Sequence, residues 1–116
     1  MSKIKRIASP YSYSNTVMAG EYAFIGLQRG SGDGFTSQLE SAFESLRDTL
    51  TELGLPLANL VKVNVWLKDI NDLPTMEKLF NHYFDEGDYP ARMTATTEFI
   101  DADCLFMIDG IAYTEL

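Results

Sequence analysis

Leu60-Val61-Lys62-Val63-Asn64-Val65-Trp66-Leu67 alternates between apolar and polar side chains. A period of two marks a half-buried strand. Val61, Val63, Val65 and Leu67 are expected on one face, against helices, with Lys62, Asn64 and Trp66 on the other. A tryptophan on the side away from the helices favours a partner surface over water, and subunit contact is the economical explanation. Leu39, Phe43, Leu46, Leu50 and Leu53 recur at helical spacing and predict an amphipathic helix. Ser37-Gln38-Leu39-Glu40 has the form of a capping box at its start; Gly54 suits a C-cap, and Pro56 blocks continuation. Asp72, with Pro74 behind it, can open a second helix with a buried stripe of Met76, Leu79, Phe80, Tyr83 and Phe84.

The remaining elements are short. Ile4 to Ile7 reads as an edge strand. Thr16-Val17-Met18 and Tyr22-Ala23-Phe24-Ile25 flank Ala19-Gly20-Glu21 and predict a hairpin turning at the glycine. Arg92 to Phe99 predicts a strand with Arg92, Thr94, Thr96 and Glu98 on one face, and Leu105 to Thr114 a last strand. There Leu105, Met107, Asp109 and Ile111 share one face, and Phe106, Ile108, Gly110 and Ala112 the other. The order β-β-β-α-β-α-β-β implies an α+β fold: a mixed sheet with both helices on one face. Its other face would need burial by self-association. Gly30-Ser31-Gly32-Asp33-Gly34 lacks the lysine of a phosphate-binding loop and reads as a flexible connector.

Composition narrows the function. A chain of 116 residues is expected to form one domain around one core. A net charge of -8 repels phosphate backbones, so no nucleic-acid partner is expected. With Cys104 as the only cysteine, no internal disulfide can form, which fits a reducing cytoplasm. The basic start Met1-Ser2-Lys3-Ile4-Lys5-Arg6 runs into Ala8-Ser9-Pro10-Tyr11 rather than the apolar run of a signal peptide. No segment approaches the roughly 20 apolar residues of a membrane span, so no membrane partner is expected. With one histidine, His82, and one cysteine, no metal site of ordinary ligand type is expected; His82 reads as a surface residue and Cys104 as a small buried one.

Tyr89-Pro90-Ala91-Arg92 carries the candidate chemistry. Proline fixes its own φ and biases the residue before it toward extended backbone, so the turn aims the arginine that follows. A guanidinium held this way recognises a carboxylate through two parallel hydrogen bonds. The competing reading is a structural salt bridge from Arg92 to Glu98 or Asp109. Tyr11 is a core or interface aromatic, or a pocket wall.

These pieces, in order and spacing, resemble the YjgF/Rid family of imine and enamine deaminases over nearly the whole chain. Pro10-Tyr11-Ser12, Gly20, Gln28, Gln38, the run Leu60 to Asp72, Pro90-Ala91-Arg92 and Ile108-Asp109-Gly110-Ile111-Ala112 carry the resemblance. It implies a single domain over residues 1–116 with a chorismate-mutase-like fold, assembled as a homotrimer around a central barrel with ligand pockets at the subunit interfaces. It implies that Arg92 binds the substrate carboxylate, that the backbone at Thr94 orients the substrate, and that Tyr11 lines the pocket from a neighbouring subunit. The implied reaction converts 2-aminoacrylate and related imines into a 2-oxo acid and ammonia, with no cofactor and no metal. Three positions depart from the family pattern. Met107 stands where many active members have a glutamate, and methionine cannot accept a proton. Leu27, in Gly26-Leu27, enlarges a wall that is usually Ser-Gly, and Met93 replaces a small hydroxyl residue. Asp109, on the face of Met107 by period two, is a partial substitute. The residues thus support a deaminase of small 2-imino or 2-enamino acids with Arg92 on the carboxylate, or a non-catalytic trimer binding 2-oxo acids. Ribonuclease activity, also attached to the family, fits poorly with the -8 charge and the absence of a histidine pair.

Overall fold

In the computed structural model, residues 3–116 are described; Met1 and Ser2, which open the basic N-terminal run, lie outside them. Six strands form one mixed sheet in the order β1-β2-β3-β6-β4-β5. The strands are β1 (Ile4–Ala8), β2 (Ser14–Ala19), β3 (Tyr22–Arg29), β4 (Leu60–Leu67), β5 (Ala91–Thr96) and β6 (Phe106–Tyr113). Neighbours are antiparallel except β4 and β5, which are parallel and therefore need a crossover. Helix α2 (Leu73–Phe80) provides it, and the longer α1 (Phe35–Glu52) joins β3 to β4. The expected order holds, with β1 and β5 at the two edges.

Both helices pack on one sheet face. Leu39, Phe43, Leu46 and Leu50 of α1 and Met76 and Phe80 of α2 meet Ile25, Val63, Val65, Leu67, Phe106 and Ile108 in one core. Phe43 lies parallel to Tyr83 with ring centroids 4.0 Å apart. Full burial of a side chain of this size contributes about 3 kcal/mol. Helix α1 ends as Gly54 predicts. Its φ of 76° lets Gly54 N–H reach Thr51 O and Leu55 N–H reach Leu50 O, both at 2.9 Å. The hairpin also turns where expected, with Gly20 at φ 61°.

Four local expectations are corrected. Ser37 is not the N-cap of α1: Gly34 is, and the Ser37 hydroxyl reaches back to Gly34 N and O. Asp72 occupies the N-cap position of α2 without a capping bond, while Asp69 accepts from Asn71 N at 2.9 Å. Val61 does not join the buried valine face. The register between β4 and β6 slips after Leu60, so Val61 bulges out 44% exposed while Leu60 and Val63 both point into the core. Gly30 is no slack connector, because a Cβ there would lie 2.0 Å from Gln38 O and 2.6 Å from Ala42 N. Only glycine lets this loop press so closely on α1.

A second bulge shapes the uncovered face. Two residues of β3, Gly26 and Leu27, stand between the pairs Ile25–Gly110 and Gln28–Ile108, opposite Asp109 alone. The extra residue turns Gln28 into the core, where it accepts from Ser45 Oγ at 2.6 Å, and leaves Leu27 exposed on the face without helices. Trp66, Asn64, Met107 and Asp109 share that face, as the alternation predicts. No helix among the described residues is long and apolar enough to cross a membrane.

Candidate functional site

The five residues singled out from sequence fall into two places on one protomer. Arg92 and Thr94 lie on edge strand β5, paired with Val63 and Val65, so both side chains take the helix side of the sheet. The Arg92 guanidinium sits 4.8 Å over the Phe80 ring and ion-pairs with Glu77, both on α2. The guanidinium contact to Glu77 uses Nη2, and the Arg92 side chain remains 24% exposed. These groups, with Asn81, Tyr89 and Pro90, line a recess of about 360 Å³. Tyr89 Oη donates to Asn81 Oδ1 at 2.9 Å and closes its rim. The structural partner of Arg92 is thus Glu77, not Glu98 or Asp109. Glu98 lies beyond the end of β5, and Asp109 is on the opposite face.

Tyr11, Leu27 and Met107 meet elsewhere. They line a groove of about 770 Å³ over the uncovered face, together with Trp66, Tyr13 and Arg29. Tyr11 and Tyr13 stack with centroids 5.9 Å apart, both well exposed. Phe99 and Ile100 from the β5–β6 loop complete a mostly apolar wall. Asp109 accepts from Asn64 Nδ2 at 2.9 Å and from Trp66 Nε1 at 3.1 Å. Each of its carboxylate oxygens accepts one of those bonds.

At the groove's rim Arg29 Nη1 meets Asp101 Oδ2 at 2.7 Å. The Asp101 carboxyl is held below the usual carboxylate range, first by the Asp103 backbone N–H and then by Arg29. The Arg29 guanidinium is held above its ordinary value mainly by that same bond. Burial and nearby Asp69 push Asp72 up. Cys104 is buried, with Sγ 3.6 Å from Phe106 O, as its reading as a small buried residue expects. His82 is exposed just past α2. Among the described residues no group of three or more His, Cys, Asp and Glu side chains is placed to hold a metal ion.

Glu77 and Phe80 are site residues that the sequence alone does not single out. The available signal was their spacing: three residues apart on a helix, they share the face that meets β5. The arginine at Pro90-Ala91-Arg92 needs a support on that side.

A family model described as endoribonuclease L-PSP matches residues 3–114. A RutC family protein of Pyrococcus abyssi is 31% identical over 112 residues, covering 89% of this chain and 87% of its own. The 2-iminobutanoate/2-iminopropanoate deaminase of Rattus norvegicus is 28% identical over 120 residues, covering 97% and 87%. Among solved structures, a yjgF family protein of Streptococcus pyogenes superposes with a TM-score of 0.86 at 30% identity, covering 97% and 98%.

Proposed function

The chain belongs to the endoribonuclease L-PSP family, which includes the YjgF and RutC proteins, and on that premise we propose that it is a hydrolytic deaminase of small 2-imino and 2-enamino acids. Water replaces the nitrogen at C2 of a substrate such as 2-aminoacrylate, giving a 2-oxo acid and ammonia. Arg92 holds the carboxylate. The observation that carries this reading is the fixed guanidinium: Phe80 supports its face and Glu77 takes Nη2, so its remaining N–H donors can meet a ligand in the recess. A planar fork fixed in advance loses little freedom when a carboxylate binds. The deaminase from rat supports the same chemistry. Such substrates hydrolyse readily, so holding one beside water supplies much of the acceleration, and no cofactor enters the scheme.

The assembly in this reading is a cytoplasmic homotrimer of a single domain. Tyr22, Phe24, Leu27 and Met93 are all exposed, and all four side chains lie on the sheet face that no helix covers. Covering that face with a second copy brings a neighbour's groove, with its Tyr11, Leu27 and Met107, toward the β5 edge that carries Arg92 and Thr94. The charge of -8 opposes a nucleic-acid substrate.

The second reading, a trimer that binds 2-oxo acids without turnover, is favoured by one observation: the uncovered face offers Met107, which takes no proton, and Asp109, already occupied by Asn64 and Trp66. Pyruvate release from 2-aminoacrylate generated in situ separates the two. A rate above the spontaneous one identifies the deaminase. The spontaneous rate, with saturable pyruvate binding, identifies the binding trimer.

A further inference from the structure

Asp109 is poorly suited to serve a ligand on the Arg92 of its own protomer: it is held by Asn64 and Trp66, across the sheet from the guanidinium. Glu77 is on the same side as Arg92, touches it, and lines the same recess with half of its side chain exposed. It reaches one terminal nitrogen of a group with five N–H donors, which leaves donors for a second carboxylate. The recess therefore presents one positive and one negative charge side by side. A 2-imino acid in its protonated form carries the complementary pair, a carboxylate and an iminium. Its 2-oxo acid product carries only the carboxylate.

We infer that Glu77 is a catalytic carboxylate of this site, one that binds the iminium N–H and takes the proton of the attacking water. The inference rests on the deaminase reading. With the substrate carboxylate on Arg92, water adds its oxygen to C2 and gives one proton to Glu77 as the C=N π pair moves to nitrogen. The tetrahedral intermediate carries an amine and a hydroxyl on C2. Glu77 returns its proton to the amine, the C–N bond breaks with its electron pair, and ammonia leaves. The hydroxyl oxygen forms the C=O bond and its proton passes to water. One water is consumed, and Glu77 ends ionised. Once the iminium is gone, the Glu77 charge repels the bound 2-oxo acid and favours its release.

Glu77→Gln keeps the size and the contact to Arg92 but neither takes a proton nor carries charge. Its kcat for 2-iminopropanoate is expected to fall about 100-fold or more, the scale of general acid–base catalysis. Pyruvate binding, read by calorimetry, is expected to tighten, and Glu77→Asp should keep more activity than Glu77→Gln. An unchanged unfolding midpoint verifies that Glu77→Gln is folded. If kcat stays at the wild-type value, or if kcat falls only together with lost pyruvate binding, Glu77 is not catalytic and merely positions Arg92. Those outcomes overturn the inference and leave the deaminase reading intact. A wild-type protein that does not accelerate hydrolysis overturns both.

Discussion

Trp66 Nε1 donates to Asp109 Oδ2 at 3.1 Å across the β4–β6 pair. The bond ties a tryptophan on the uncovered face to a carboxylate that also accepts from Asn64 Nδ2 at 2.9 Å. Hydrogen bonds to an ionised acceptor are among the stronger ones in proteins. They hold the Trp66 indole as part of the groove floor beside Met107.

Asp109→Ala leaves two donors without their acceptor, and is expected to cost about 2 kcal/mol of stability. Urea unfolding checks the cost. Asp109→Asn should cost less, because its amide oxygen can still accept one of the two bonds.

Gly30 and Gly34 belong to one loop but should respond differently to substitution. At Gly30 an added methyl runs into the α1 backbone, and overpacking of this kind costs about 3 kcal/mol. At Gly34 nothing lies within 4 Å of an added Cβ. Thermal unfolding of Gly30→Ala and Gly34→Ala should show a large drop for the first and little change for the second.

Phe80 tests how Arg92 is held. Phe80→Leu keeps the site apolar but removes the ring face under the guanidinium, a contact of about 1 kcal/mol. Pyruvate affinity should weaken by roughly fivefold. Calorimetric titration checks this, with the unfolding midpoint measured in parallel because Phe80 is also a core residue.

The Asp101–Arg29 contact carries a pH dependence with a definite sign. The folded-state Asp101 carboxyl titrates below its ordinary value, so its contribution to stability is present above that ordinary value. It is lost as pH falls through the folded-state value. Both partners are well exposed, so the effect is small and weakens with salt. Following the Asp101 carboxyl by NMR should show its titration move upward in Arg29→Gln. It should stay below the ordinary range, because the Asp103 N–H remains.

The helices and the sheet were legible because their signals are local. Leu39 to Leu50 mark α1 by period, Gly54 marks its end by backbone freedom, and Trp66 marks the uncovered face by alternation. Val61 broke the pattern because a bulge depends on the partner strand: the alternation of β4 alone does not report the slip against β6 after Leu60. Ser37 was misplaced by three residues because a hydroxyl bonding back to Gly34 and a hydroxyl capping forward read alike in sequence. The site was legible in part. Arg92 stands out through the proline that aims it, but Glu77 becomes its partner only when α2 crosses back beside β5. The separation of Arg92 from Tyr11, Leu27 and Met107 depends on which sheet face each side chain takes, a property of the assembled sheet.

Arg92-dependent turnover is the most direct measurement. Wild type and Arg92→Ala are compared in the same stopped assay, with 2-aminoacrylate generated in situ and pyruvate read by a coupled reduction. Pyruvate formation above the spontaneous rate in wild type, absent in a folded Arg92→Ala protein, is the predicted result. Equal acceleration by the two proteins would contradict a site built on the Arg92 guanidinium.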